Sequence, residues 1–172
     1  MKTILAIPGS LREGSSNHNI LRFLKGIAPA GINYKIYDGI SGIPAFDPGL
    51  DNDGPPAAVA DFREQIAGAD GIIICTPEYA FGVPGALKNA LDWTVSSGSF
   101  SGKPVALITA STGGGHAHEA MIKILGAIDT KLTRETTLLI SYVRTKISAD
   151  GVPDDKTSEN LRSVLHHLLA GL

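Results

Sequence analysis

Cysteine is almost missing from this chain of 172 residues: Cys75 stands alone, which excludes a disulfide within the chain and any cluster of thiolate metal ligands. Scarce cysteine points to a reducing, cytoplasmic setting. Surplus positive charge is missing too, because 15 Lys and Arg face 17 Asp and Glu for a net charge of −2. Phosphate-backbone binding needs clustered cations, so nucleic acid is not an expected partner. Long apolar runs are the third absence. Ile4-Leu5-Ala6-Ile7, following Lys2, falls short of the roughly 7 to 15 apolar residues of a signal-peptide core, and nothing reaches the ~18 needed to cross a bilayer. The chain is expected to be unprocessed and to have no membrane partner.

What is present is a composition 43% hydrophobic, at a length expected to make one domain, residues 1–172. A chain of this size buries about 70% of its unfolded surface, enough for a core without staples. Four apolar runs are too short for helices and are bounded by Gly, Pro or Asp: Thr3 to Ile7, Ile32 to Tyr37, Gly71 to Cys75 and Val105 to Thr109. Most are continuous rather than alternating, as in strands covered on both faces. A weaker fifth lies in Leu132 to Ile140. Between them run helical stripes: Ile20, Phe23, Leu24 and Ile27; Val59, Phe62, Ile66 and Ala69; Val83, Leu87, Ala90, Leu91 and Val95; Ala117, Met121, Ile124, Leu125 and Ile128. Leu161, Val164, Leu165, Leu168, Leu169 and Leu172 close the chain.

Strict alternation of strand and helix predicts a doubly wound α/β fold, a three-layer sandwich around a five-stranded parallel sheet of order 2-1-3-4-5. Ligands of such sheets bind beyond the carboxyl ends of the strands, at the switch point. The loops after the first, third and fourth strands are therefore the candidate site. Ser41 to Ala57, with four prolines and three aspartates, reads as a long exposed loop, either a mobile connection or a lid.

The first loop, Pro8-Gly9-Ser10-Leu11-Arg12-Glu13-Gly14-Ser15-Ser16-Asn17, leads into a helix. Helix-terminal N–H groups favour a phosphate, and the serine hydroxyls, the Asn17 amide and Arg12 add donors. Gly9-x4-Gly14 mimics a nucleotide-triphosphate loop, but Ser15 stands where lysine is required, so a phosphate monoester fits better. The competing reading is an ordinary turn with Ser16 or Asn17 as helix cap. The third loop, Thr76-Pro77-Glu78-Tyr79-Ala80-Phe81-Gly82-Val83-Pro84-Gly85, combines stiff prolines with exposed amides and aromatic rims, suited to a flat heterocycle or simply to a tight turn. In Ala110-Ser111-Thr112-Gly113-Gly114-Gly115-His116, three glycines let a ring approach the main chain, unless they only make a flexible turn.

Thr76-Pro-Glu-Tyr-Ala-Phe-Gly-Val-Pro-Gly-Ala-Leu-Lys-Asn-Ala-Leu-Asp-Trp93, with Gly9-Ser-Leu-Arg and Ser111-x-Gly-Gly, resembles the NAD(P)H-dependent FMN reductases of the flavodoxin-like proteins, a group that includes chromate, quinone and azo-dye reductases. The resemblance extends from Ile4 to about Leu169. It implies that Ser10, Arg12, Ser15, Ser16 and Asn17 grip the FMN phosphate. It implies that Pro77, Glu78, Tyr79, Ala80, Phe81 and Gly82 line the isoalloxazine ring, with Ser111, Gly113 and Gly114 on its far side. The activity implied is hydride transfer from NADPH or NADH through FMN to quinones, free flavin, chromate or similar small acceptors, with no catalytic side chain. A homodimer or homotetramer is implied as well. Two departures stand out: many relatives carry asparagine in place of Ala80, and a different polar or basic residue in place of His116.

The rival chemistries lack parts. A serine hydrolase at Ser10 has no positioned acid beside His166 or His167. A cysteine phosphatase would need arginine where Phe81 stands. His116 and His118, two apart on one helix, point to different faces and do not converge on a metal. A one-electron flavodoxin-like carrier remains the alternative, although such carriers tend to be more acidic than −2.

Overall fold

A computed structural model of the protein describes residues 1–148 and 150–172. Five strands form one parallel sheet: β1 (Lys2–Pro8), β2 (Ile32–Ile36), β3 (Gly71–Thr76), β4 (Pro104–Ala110) and β5 (Lys131–Ile140), ordered β2-β1-β3-β4-β5. The helices between and after them are α1 (Ser16–Ile27), α2 (Ala57–Ala67), α3 (Gly85–Asp92), α4 (Gly115–Ala127) and α5 (Asp155–Ala170). Class and strand order are those expected from the alternation of patterns.

The central strands are apolar on both faces because both are covered. Leu5, Ile7, Ile72, Ile74, Val105 and Leu107 pack with Val59, Phe62 and Ile66 of α2, Leu87 and Leu91 of α3, and Met121 and Leu125 of α4. Their neighbours Ile4, Ala6, Ile73, Cys75, Ala106 and Ile108 face Ile20, Leu21 and Leu24 of α1 and Leu161, Val164, Leu165 and Leu168 of α5. Each fully buried Leu or Ile contributes roughly 1.5–3 kcal/mol, so the three central strands anchor the sheet edge above them. Among the described residues, no helix is long and apolar enough to cross a membrane.

β5 read weakly in the sequence because its pairing is broken. Val105 pairs with Leu132, but Leu107 already pairs with Thr137, so a polar excursion bulges out between them. There the Thr136 hydroxyl folds back, accepting from Thr133 N–H and donating to the Thr133 carbonyl. α3 is shorter than its apolar stripe implied. It begins after Pro84 and ends at Trp93, leaving Val83 before it and Val95 exposed beyond it.

Ser41 to Ala57, read from the sequence as a mobile connection or a lid, is strapped to α3 through residues 44–46. Asn89 accepts from Phe46 N–H (2.7 Å) and donates to the Pro44 carbonyl (2.9 Å), which also accepts from Trp93 Nε1 (2.9 Å). Phe46 meets the fully buried Trp93 ring edge-on. Arg63 of α2 ties the far end, pairing with Asp51 at 2.6 Å and donating to the Trp93 carbonyl and Ser96 hydroxyl. Asn89→Ala removes two of these bonds at once. It is expected to cost about 1–2 kcal/mol in urea unfolding and to open residues 44–50 to limited proteolysis of the otherwise folded chain.

Candidate functional site

The first loop leaves β1 hard against β3. Gly9 donates to the Cys75 carbonyl at 2.8 Å, and a Cβ on Gly9 would lie 2.5–2.9 Å from Thr76 atoms, its main-chain Cα among them. The helix cap is Ser15, rather than the Ser16 or Asn17 of the ordinary-turn reading. The backbone is extended at Ser15 (φ −65°, ψ 157°), and its Oγ accepts the His18 N–H at 3.3 Å. Asn17 turns inward rather than toward a ligand: its side chain donates to the Ala110 carbonyl (3.4 Å) and accepts from the buried Cys75 thiol (3.3 Å). Burial raises that thiol's pKa far above its ordinary value, so Cys75 stays protonated and inert. Ser10 is buried, accepts from Arg12 N–H at 3.3 Å, and lies 3.5 Å from the Tyr79 hydroxyl, too far for a firm bond.

The third loop is built around Glu78. The residue before α4, Gly114, is left-handed (φ 102°) and has no side chain to cap the helix. Glu78 does so from the neighbouring loop, accepting from Ala117 N–H at 2.8 Å and Gly114 N–H at 3.1 Å. The Ala117 bond, helped by Gly114 and by the adjacent His116, holds the Glu78 carboxyl below its ordinary range despite partial desolvation. Beyond it, Tyr79 and Gly82 exchange main-chain bonds of 3.0 and 2.9 Å around a tight turn whose two central residues, Ala80 (φ 48°) and Phe81 (φ 59°), are left-handed. Two positive-φ residues are what a type I′ turn requires, and asparagine or glycine is usual there. Phe81 leaves 77% of its surface in solvent and meets His116 edge-on at 5.1 Å. His118, from the same helix, points elsewhere and bonds Thr109 at 2.8 Å.

These elements enclose an open cleft of 220 Å³. Of the residues singled out in the sequence, Ser10, Arg12, Ser15, Ser16, Asn17, Pro77, Glu78, Tyr79 and Ser111 line it together. Ala80, Phe81, Gly82, Gly113 and Gly114 do not; they stand in the adjoining turn and loop. Sequence reasoning missed Ala110, Thr112, Val143 and Arg144. The signal was available, since Arg144 follows β5 closely and every carboxyl end of a doubly wound sheet faces the same edge. A larger cleft of 340 Å³ lies on the other flank of the first loop, lined by Glu13, His18, Arg22, Tyr37 and Asp38 among others. Its two carboxylates make it the poorer anion site; the smaller cleft has Arg12 and Arg144, and its one carboxylate is already engaged.

Three substitutions test this construction. Gly9→Ala pushes a methyl into Thr76 and is expected to cost about 1–3 kcal/mol in chemical denaturation. Ala80→Gly relieves a left-handed alanine and should raise stability by about 1 kcal/mol. Glu78→Ala removes a helix cap and should cost about 1 kcal/mol at neutral pH. Because the folded Glu78 pKa lies below the unfolded value near ~4.3, this difference is fully present above that pH and shrinks as pH falls through the folded pKa. Paired unfolding curves from neutral to acidic pH read it directly.

The NADPH-dependent FMN reductase family pattern matches residues 2–144. An NAD(P)H-dependent FMN reductase of Pseudomonas aeruginosa is 37% identical over 96% of this chain and 92% of its own length. A quinone reductase of Escherichia coli is 34% identical over 98% of this chain and 90% of its own. Among solved structures, the flavoenzyme NAD(P)H:(acceptor) oxidoreductase FerB of Paracoccus denitrificans superposes with a TM-score of 0.85 at 28% identity, covering 99% of this chain and 96% of that one. With the sheet order, the first-loop cradle and the Glu78-clamped turn all in place, the chain belongs to the NADPH-dependent FMN reductase family.

Proposed function

We propose that the protein is an FMN-dependent oxidoreductase that takes a hydride from NADPH or NADH and reduces quinones, free flavin, chromate or similar small acceptors. The observation that carries this reading is the cleft itself, with hydroxyls and Arg12 at the entry to α1, Arg144 from the segment after β5, and an aromatic-rimmed turn at its edge. Bound FMN supplies the redox chemistry, accepting hydride and passing electrons on. In this reading Ser10, Arg12, Ser15 and Ser16, the Asn17 N–H and the additional Arg144 hold the phosphate. The Pro77–Gly82 segment, with Ser111, Gly113 and Gly114, borders the ring.

The cleft is below the roughly 300–1,000 Å³ typical of enclosed small-molecule pockets, which suits the phosphorylated tail and leaves a flat ring on the open rim. Such openness favours many acceptors over one. Both carboxylate oxygens of Glu78 are spent on α4, so it orders the rim and does not serve as a proton donor. Tyr79, Phe81 and Tyr142 leave large aromatic surfaces in water at this edge, which a second copy in a homodimer or homotetramer would cover. We place the enzyme in the cytoplasm, in keeping with its single buried cysteine.

Purified protein should be yellow, carry FMN, and oxidise NADH or NADPH faster when benzoquinone is added. A chain that binds no FMN and consumes neither nicotinamide overturns the proposal, and one that binds FMN without nicotinamide turnover is a carrier. Arg12→Ala and Arg144→Ala should each weaken FMN binding by about 10–100-fold in a fluorescence titration while leaving riboflavin binding unchanged.

A further inference from the structure

Between the two clefts stands His18, whose ring is almost buried. Its Nδ1 lies 3.0 Å from Ser15 Oγ, and its Nε2 lies 4.0 Å from a carboxylate oxygen of the exposed Asp38, just beyond β2. The same Ser15 Oγ accepts the His18 main-chain N–H at 3.3 Å. A hydroxyl has one hydrogen to give and two lone pairs. With one lone pair committed to the helix cap, the state of Nδ1 decides where the Ser15 hydrogen points. If Nδ1 is bare, Ser15 donates to it and turns a lone pair toward the 220 Å³ cleft. If Nδ1 carries a proton, it fills the second lone pair and sends the Ser15 hydrogen into the cleft.

We propose that His18 is a positioning residue for the phosphate cradle, setting whether Ser15 donates to a phosphoryl group and thereby coupling capture of the phosphorylated flavin to a proton. The inference rests on the reading of the cleft as the FMN phosphate site and assigns a task to a residue outside it.

The surroundings of His18 favour the turned-away state when no phosphate is present. The Asp38 carboxylate, 4.0 Å from Nε2, favours by its charge the neutral tautomer that carries its hydrogen on Nε2, which leaves Nδ1 bare. Burial holds the ring below the usual imidazole range; Asp38 and, more weakly, Glu13 of the first loop pull upward, and Arg22 one turn along α1 pushes down. Tyr37, which lines the same larger cleft, is pushed up to about 12, chiefly by burial and then by its bond to Asp61, and stays neutral. A phosphate in the cleft rewards a proton on Nδ1, so by reciprocity protonated His18 binds the phosphate more tightly.

The test compares FMN with riboflavin on the flavin-stripped full chain, as wild type and as His18→Asn, whose non-titrating amide can donate to Ser15 at every pH. The phosphate's own second ionisation, near ~6, affects both proteins alike and cancels in the ratio. The wild-type Kd for FMN divided by that of His18→Asn should fall from about tenfold at pH values well above the His18 pKa toward one as the pH drops below it, while the riboflavin ratio stays flat. A second measurement needs no variant. By NMR of the imidazole nitrogens, FMN should raise the His18 pKa by about one unit, the same tenfold seen from the other side, and riboflavin should not move it. A flat FMN ratio, or an imidazole titration that FMN leaves in place or riboflavin shifts equally, overturns the role of His18 while the FMN site stands. Failure of the wild type to bind FMN at any pH overturns the site itself, and the proposal with it.

Discussion

The two main-chain bonds from α4 to Glu78 are the constraint on which the candidate site depends. A helix that begins on three glycines has no capping side chain of its own, and its first amides would otherwise face open water at the edge of the sheet. Supplying the cap from the loop after β3 makes the third and fourth strand-exit loops one body. It also explains why glycine is required at Gly114, where a positive φ coincides with a Cβ position only 2.9 Å from Leu139. The strain of two left-handed residues at Ala80 and Phe81 is tolerable because the chain entering that turn is already anchored at Glu78.

Charge is distributed in the same sense. The chain as a whole is close to neutral, yet the 220 Å³ cleft brings Arg12 and Arg144 together from opposite ends of the sequence. Its only carboxylate faces the positive end of α4, where it is held ionised and turned to structural use. On the other flank of the first loop, Glu13 and Asp38 gather around His18 and Arg22. One loop of ten residues thus separates an anion-seeking cleft from an acidic one, and His18 is the side chain that faces both through Ser15 and Asp38.

Much of this was legible in the sequence because it follows from periodicity and from residues with a single structural meaning. Runs such as Ile72-Ile73-Ile74, too short for a helix and bounded by Gly71 and Pro77, read as strands covered on both faces, and alternation with helices then points to the sheet. Nine of the fourteen residues expected at the site meet in one cleft, since the carboxyl ends of adjacent parallel strands lie side by side. What escaped depended on direction rather than composition. No local pattern says that Asn17 turns inward to Cys75 and Ala110, that Glu78 reaches across to another loop's helix, or that Ser15 and not Ser16 ends the first loop. Arg144 escaped for a different reason: it lies beyond β5, outside the three strand-exit loops expected to form the site.

The long motif running from Thr76 to Trp93 extends well past the cleft, and the strap accounts for its far half. Asn89 and Trp93, one helical turn apart, both grip the Pro44 carbonyl, which fixes residues 44–46 against α3 and α3 against the rest of the fold. α3 is only eight residues long and follows the Tyr79–Gly82 turn after two residues, so its placement sets where that turn can stand. An isolated helix of this length would be marginal in water and depends on packing for its stability. Burial of Trp93 and the bonds it makes with Arg63 and Pro44 therefore act on the site at a distance. They fix α3 against the fold, and with it the point from which the aromatic turn is measured.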